Sequence, residues 1–265
     1  GKPSSVRDPR WSGEVRMVPE HLAAPLRWRR PRRVFVNSMS DLFHESLTNE
    51  QIAAVFGVMA ASPRHTFQVL TKRAARMREW FEWYEGESGA GATPLAAILA
   101  ARDHVGALAS RDHEFGPWPL PHVWIGVSVE NQAAADERIP ELLRTPAAVR
   151  WLSCEPLIGP VDLAAASPNA RSLVEDLDWI VAGCESGPGA RPCDVAWLRS
   201  LRDQCATAGV AYFLKQAKHT PGEFISSATL AIGLDTGSHR KAGGVIGLPY
   251  LDGRQHVEMP EVRRG

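Results

Sequence analysis

Six short apolar runs along the chain end abruptly in charged or hydroxyl residues, at a rhythm of roughly thirty residues. Val34-Phe35-Val36 runs into Asn37, Ser38, Ser40 and Asp41, and Phe67 to Leu70 into Thr71, Lys72 and Arg73. Val123 to Val127 leads to Ser128, Glu130 and Asn131, and Val149 to Leu152 to Ser153, Cys154 and Glu155. Trp179 to Val181 leads to Gly183, Cys184, Glu185 and Ser186, and Ala211 to Leu214 to Lys215 and Gln216. Apolar strands alternating with helical stretches predict a parallel sheet whose two faces are both covered. The expected fold class is therefore α/β: a (β/α) barrel or partial barrel with parallel strands. In such folds the carboxyl ends of the strands carry the chemistry.

The intervals read as helices. Thr48 and Gln51 have the capping-box spacing and open a helix through Ile52, Val55, Phe56 and Met59. Met77, Trp80, Phe81 and Tyr84 form one apolar stripe. Asp194 is placed to cap a helix through Trp197, Leu198, Leu201 and Cys205 that Gly209 stops. Residues 86–121 read as an insertion on the barrel rim. Three segments result: an irregular 1–33, a barrel domain over 34–216, and a C-terminal cap over 217–265 with a hairpin turn at Leu251-Asp252-Gly253-Arg254.

Composition narrows the classes. Apolar content of 44%, with 23% charged residues, is that of a globular protein. Lysine plus arginine and aspartate plus glutamate both number 30, so no net field draws the chain to nucleic acid or an anionic membrane. No apolar run reaches the ~20 residues of a membrane span. Cysteines 154, 184, 193 and 205 are too few and too dispersed for a disulfide framework, and read as reduced thiols of a cytoplasmic protein. They also lack metal-ligand spacing, so no metal site is expected from them. Trp124, Trp151 and Trp179 lie inside predicted strands and read as core.

The candidate chemistry sits at the strand ends. Glu155, Glu185 and Lys215 are the candidate catalytic groups, and Asn37, Ser38, Ser40, Asp41, Ser128, Glu130 and Arg191 the candidate cofactor contacts. Between Gly183 and Pro192, glycines allow close ligand approach, and the turn feeds a helix N-terminus able to receive an anion. Asp41, Glu130, Glu155 and Glu185 around a divalent ion would make a hydrolase or isomerase instead. Arg27, Arg29, Arg30, Arg32 and Arg33, with Trp28 among them, form the one basic stretch suited to a nucleic-acid backbone. That stretch alone would make a non-catalytic nucleic-acid or partner-binding protein.

Val34 to His44, Phe67 to Arg73, Trp151 to Leu157 and Glu185 to Pro192 together resemble the phage gene-37/gene-68 protein family, a largely uncharacterised bacterial and phage family. The family is similar to the radical SAM superfamily and, distantly, to spore photoproduct lyase. The resemblance spans roughly residues 20–218 and implies a radical SAM-like barrel. It implies S-adenosylmethionine and a [4Fe–4S] cluster as cofactors, and cleavage of the former to a 5′-deoxyadenosyl radical. By position, Asn37 to Asp41 would meet the methionyl amino group, and Ser128 and Glu130 the ribose or carboxylate. The family's three-cysteine segment lies upstream of the strand at Val34, and residues 1–33 contain no cysteine. Either that segment has been lost from this sequence or the chain is a degenerate member. The function expected is that of a radical SAM-like barrel protein in phage or bacterial nucleic-acid metabolism, its substrate undefined.

Overall fold

A strand with two apolar faces must be covered on both, and the six runs meet that demand differently on each side. The computed structural model describes residues 15–37, 40–87, 94–105, 117–166, 176–187, 189–218, 225–226, 240–241, 245–247 and 250–261. The chain enters through two four-residue helices, α1 (Pro19–Leu22) and α2 (Ala24–Arg27). Strands β1 (Arg33–Val36), β2 (Thr66–Thr71), β3 (Val123–Ser128), β4 (Val149–Cys154), β5 (Trp179–Gly183) and β6 (Ala211–Lys218) lie side by side in chain order, all parallel. Between them run α3 (Asn49–Ala60), α4 (Ala74–Glu87), α5 (Pro94–Val105), α6 (Gln132–Arg144) and α7 (Val195–Ala208). The result is a partial (β/α) barrel. The far edge of β6 takes β9 (Val245–Gly247) and then β8 (Arg240–Lys241), both antiparallel. A second, antiparallel sheet joins β7 (Ile225–Ser226), β10 (Tyr250–Leu251) and β11 (Arg254–Gln255).

One residue in two along each strand points out to the helices. Val36, Phe67, Val69, Ile125, Val127, Leu152, Ile180 and Leu214 pack there against the helices in the main core. The predicted helix signals act as read: Thr48 and Gln51 form a reciprocal capping box, Asp194 caps α7, and Gly209 ends it in the left-handed region at φ 71°. Met77, Trp80, Phe81 and Tyr84 of α4 are all buried in that core. At the hairpin, Asp252 and Gly253 take φ of 52° and 82°, and β10 and β11 pair across them.

The other residue in two points inward and forms a separate cluster. Trp124, Val149, Trp151, Trp179 and Val181 are buried together there, with Leu70, Phe213 and Met259 packed on them. The tryptophans are core, as expected, but of the concave face. Their rings prove the curl of the sheet: Phe35 on β1 meets Trp151 on β4 at 6.2 Å, although two strands separate them. In a flat sheet those strands would stand about 14 Å apart. Segment 256–259 runs along β6, where Trp179 Nε1 donates to the Glu258 carbonyl and Arg33 on the opposite edge donates to Met259 Sδ at 3.4 Å.

Trp124 and Trp151 have no hydrogen-bond partner for Nε1 among the described residues. Each orphan N–H costs about 1–3 kcal/mol. Burying an indole of roughly 150–250 Å² yields about 4–6 kcal/mol, so burial prevails.

Three readings need correction. Part of 1–33 is helical, because Pro19 and Pro25 sit at first-turn positions that lack a partner for an N–H anyway, and Leu22 and Leu26 pack onto Ala54, Val58 and Ala101. Within 86–121, α5 lies in the helix layer against α3 rather than on the rim. A Cβ on Gly57 would come 1.9 Å from the Ala97 carbonyl oxygen. Finally, Lys215 and Gln216 lie inside β6 instead of beyond it, because β9 pairs with Gln216 to Lys218 and prolongs the ladder.

Gly126 pairs with Trp151 across β3 and β4, and a Cβ there would lie 2.5 Å from the indole. Gly126→Ala is expected to cost about 1–3 kcal/mol by overpacking. The loss should appear as a lower urea midpoint with an altered near-ultraviolet tryptophan dichroism.

Candidate functional site

The inward positions change character from one end of each strand to the other. On β1 they run Arg33, Phe35, Asn37; on β3, Trp124, Gly126, Ser128; on β4, Trp151, Ser153, Glu155; on β6, Phe213, Lys215. An aromatic floor therefore gives way to a polar rim at the carboxyl ends, enclosing an open bowl of about 1340 Å³. Trp151–Trp179 and Trp179–Phe213 ring contacts at 5.5 and 5.8 Å make the floor continuous from β4 to β6. Above it, Ser128 and Ser153 are directly paired across β3 and β4.

Every predicted carboxylate at this mouth holds a cation. Asp41 Oδ1 accepts the Thr71 hydroxyl at 2.7 Å and the Phe43 N–H at 2.9 Å. Its Oδ2 accepts Arg73 Nη1 and the Lys72 N–H, both at 3.2 Å. Asp41 thus ties the β1 loop to the end of β2. Glu130 pairs with Lys72 through one oxygen and with Arg138 at 2.9 Å through the other. Arg138 also donates to the Ser128 carbonyl at 2.8 Å. Burial pushes the Glu130 carboxyl up, but the Lys72 hydrogen bond and the charges of Lys72 and Arg138 outweigh it and hold it below its ordinary 4.5.

Glu155 pairs with Lys215 at 2.8 Å. The two lysine–glutamate pairs share an orientation. The lysine side chains are 59% and 52% exposed over glutamates only 12% and 14% exposed, so the ammonium groups face the bowl and the carboxylates anchor them. Glu185 is gripped by Arg191 through Nε, Nη2 and the backbone N–H, at 2.8, 2.9 and 2.8 Å. That fork, and then the backbone bond, bring the Glu185 carboxyl down to about 2.

The predicted residues therefore divide. Asn37, Ser40, Asp41, Ser128, Glu155, Glu185 and Lys215 line one bowl. Ser38 lies outside the described residues. Asn37 takes a left-handed φ of 66°, where asparagine is tolerated better than most residues. Glu130 anchors a lysine from behind, and Arg191 is engaged by Glu185. The α7 N-terminus meets its own anion, because Asp194 accepts the Ala196 N–H at 2.8 Å. Residue-type reasoning missed Phe35, Gln68, Leu70, Trp151, Trp179 and Phe213, which line the same bowl. Counting back by twos from each polar strand end finds most of them.

The described cysteines do not fit a [4Fe–4S] cluster. Cys154, Cys184 and Cys205 are buried. Burial pushes the Cys154 thiol far up and the Cys205 thiol up to about 12. Among the described residues no three His, Cys, Asp or Glu side chains converge as a metal site, so the four rim carboxylates do not form a divalent-ion cage. No described helix is long and apolar enough to cross a membrane.

With its carboxyl held below 4.5, Glu130 contributes stability that is fully present above that value and lost as pH falls through the folded-state value. Glu130→Gln should cost about 1.5–3 kcal/mol at neutral pH, the worth of hydrogen bonds to a charged group. The penalty should shrink on acidification, read from urea midpoints of both proteins across the acid range.

No curated protein matches the chain, and no solved structure does. A family model described as a protein of unknown function (DUF5131) matches residues 3–260. With its partial barrel and one polar mouth, the chain belongs to that DUF5131 family.

Proposed function

We propose that the bowl is the active site of a barrel enzyme that binds S-adenosylmethionine, as the resemblance to radical SAM-like proteins of phage and bacteria implies, and acts on a substrate from nucleic-acid metabolism. The observation that carries this reading is the pair of rim lysine–glutamate bridges over an aromatic floor. An amino-acid zwitterion complements such a bridge: its carboxylate meets the exposed ammonium, and its own ammonium meets the glutamate beneath. A purine has a face to lay on Phe35, Leu70 or Phe213. S-Adenosylmethionine carries both groups, and when bound it supplies a reactive carbon–sulfur bond. Lys215 with Glu155 would hold the amino-acid end, and the aromatic floor the adenine.

Size supports a second occupant. Sites for single small ligands measure about 300–1,000 Å³, and the bowl of about 1340 Å³ exceeds that. Each of the four carboxylates is engaged by its own cation or cations instead of converging with the others, which favours a ligand held by paired charges over the divalent-ion hydrolase reading.

Isothermal titration of the purified chain with S-adenosylmethionine tests the proposal. One site per chain is expected, and Lys215→Ala or Phe213→Ala should weaken it about tenfold, the order of one charged or stacking contact. Absence of heat, or equal affinity in both variants, would sink it.

A further inference from the structure

The chain has no net charge, yet six arginines without a carboxylate partner among the described residues are gathered at one place. Arginines 73, 78, 138, 144, 191, 199, 202 and 254 all hold carboxylates. Arg27, Arg29, Arg30, Arg32 and Arg33 hold none among the described residues, and all five are exposed. Arg64 is exposed as well and lies two residues before Thr66, the register partner of Arg33. All six collect where β1 and β2 begin. None of the six is ion-paired among the described residues, so a zero total charge conceals a local cluster of positive charge.

The patch is built, not merely solvated. Arg32 lies 4.6 Å over the Trp28 ring, and its backbone N–H donates to His65 Nδ1 at 3.2 Å. His65 is buried, meets Trp28 edge-on at 5.6 Å, and reaches the Pro25 carbonyl at 3.2 Å. Trp28 is therefore oriented from both sides among the guanidinium groups.

Most informative is the way the patch connects to the bowl. Arg33, Phe35 and Asn37 occupy the same, inward face of β1. Phe35 is 45% exposed, a large apolar ring left open on the edge strand. Among the described strands β1 is an edge of the partial barrel, so this row borders the seam between the two ends of the curled sheet. From Arg33 to Asn37 the strand covers about 13 Å, the length of about four stacked nucleotides at roughly 3.4 Å each.

We infer that this face is the binding track of a single-stranded nucleic acid, which lays its phosphates on the arginine patch and passes its bases along Arg33, Phe35 and Asn37 into the bowl. Aromatic rings interleaved with cations recognise unstacked bases on a charged backbone. A duplex hides its base faces and offers Phe35 nothing to stack on. The inference rests on the bowl being the site of chemistry, and it names the polymer that delivers the second occupant.

The test is fluorescence anisotropy with end-labelled mixed-sequence single-stranded DNA and RNA oligonucleotides, in the absence of S-adenosylmethionine. Binding should weaken steeply with salt. The triple variant Arg29→Gln, Arg30→Gln, Arg33→Gln should bind at least about tenfold more weakly and lose about 0.7 from the log–log salt slope for each phosphate contact removed. Phe35→Ala should weaken binding while leaving the slope unchanged, and a duplex of the same sequence should bind more weakly than either strand. A 4-thiouridine in the strand should cross-link to the peptide containing Phe35. No binding, equal affinity in the triple variant, or a duplex bound as tightly as the single strand would overturn the inference. The adenosyl reading is judged separately by the calorimetry, so failure of one does not count as failure of the other.

Discussion

A parallel sheet that curls without closing has an inner face that no helix covers, and the rest of this structure follows from how that face is filled. A closed barrel fills its interior with layers of side chains from all its strands. Here six strands do the work, and three tryptophans supply the bulk the absent strands would have given. Trp151 can lie flat across the sheet only because its cross-strand neighbour is Gly126. The layer fills the amino half of the interior and stops, leaving the carboxyl half as a bowl. Segment 256–259 then covers the early part of β6, which would otherwise present an open ladder.

The charges at the mouth follow from the same geometry. Four carboxylates brought to one rim of limited solvation would repel one another and ionise reluctantly. Each is matched instead by a cation: Asp41 by Arg73, Glu130 by Lys72 and Arg138, Glu155 by Lys215, Glu185 by Arg191. With Glu45, which Arg73 also holds, five carboxylates meet five cations, so the rim is locally balanced in charge, which suits a ligand bearing both signs. The arginines at the opposite end of β1 have no such partners among the described residues, and the contrast gives the described sheet a polarity along its strands.

The order of the six parallel strands and the location of the polar groups were legible in the pattern of apolar runs. Capping at Thr48, Asp194 and Gly209 was legible too, because those signals act within a few residues of chain. The strand ends were less so: β6 continues to Lys218 only because β9, about thirty residues later, pairs with it. Residues 19–22 and 24–27 carry one local helix signal each, a first-turn proline, and are held as helices by packing on α3 and α5.

By itself the sequence determined which residues stand at the mouth, because a strand's direction and its two-residue period set where each side chain emerges. It also determined the basic stretch, which contiguity alone reveals. Only the tertiary structure decided what those residues do. Asp41 became a four-fold acceptor bridging two strand ends, Glu130 a buried anchor for Lys72, and Arg191 a clamp on Glu185. It also turned two core tryptophans, Trp151 and Trp179, into the floor of the bowl. Pairing of charges and stacking of rings depend on distances between separate strands, and those distances are set by the curl of the sheet, to which every strand contributes.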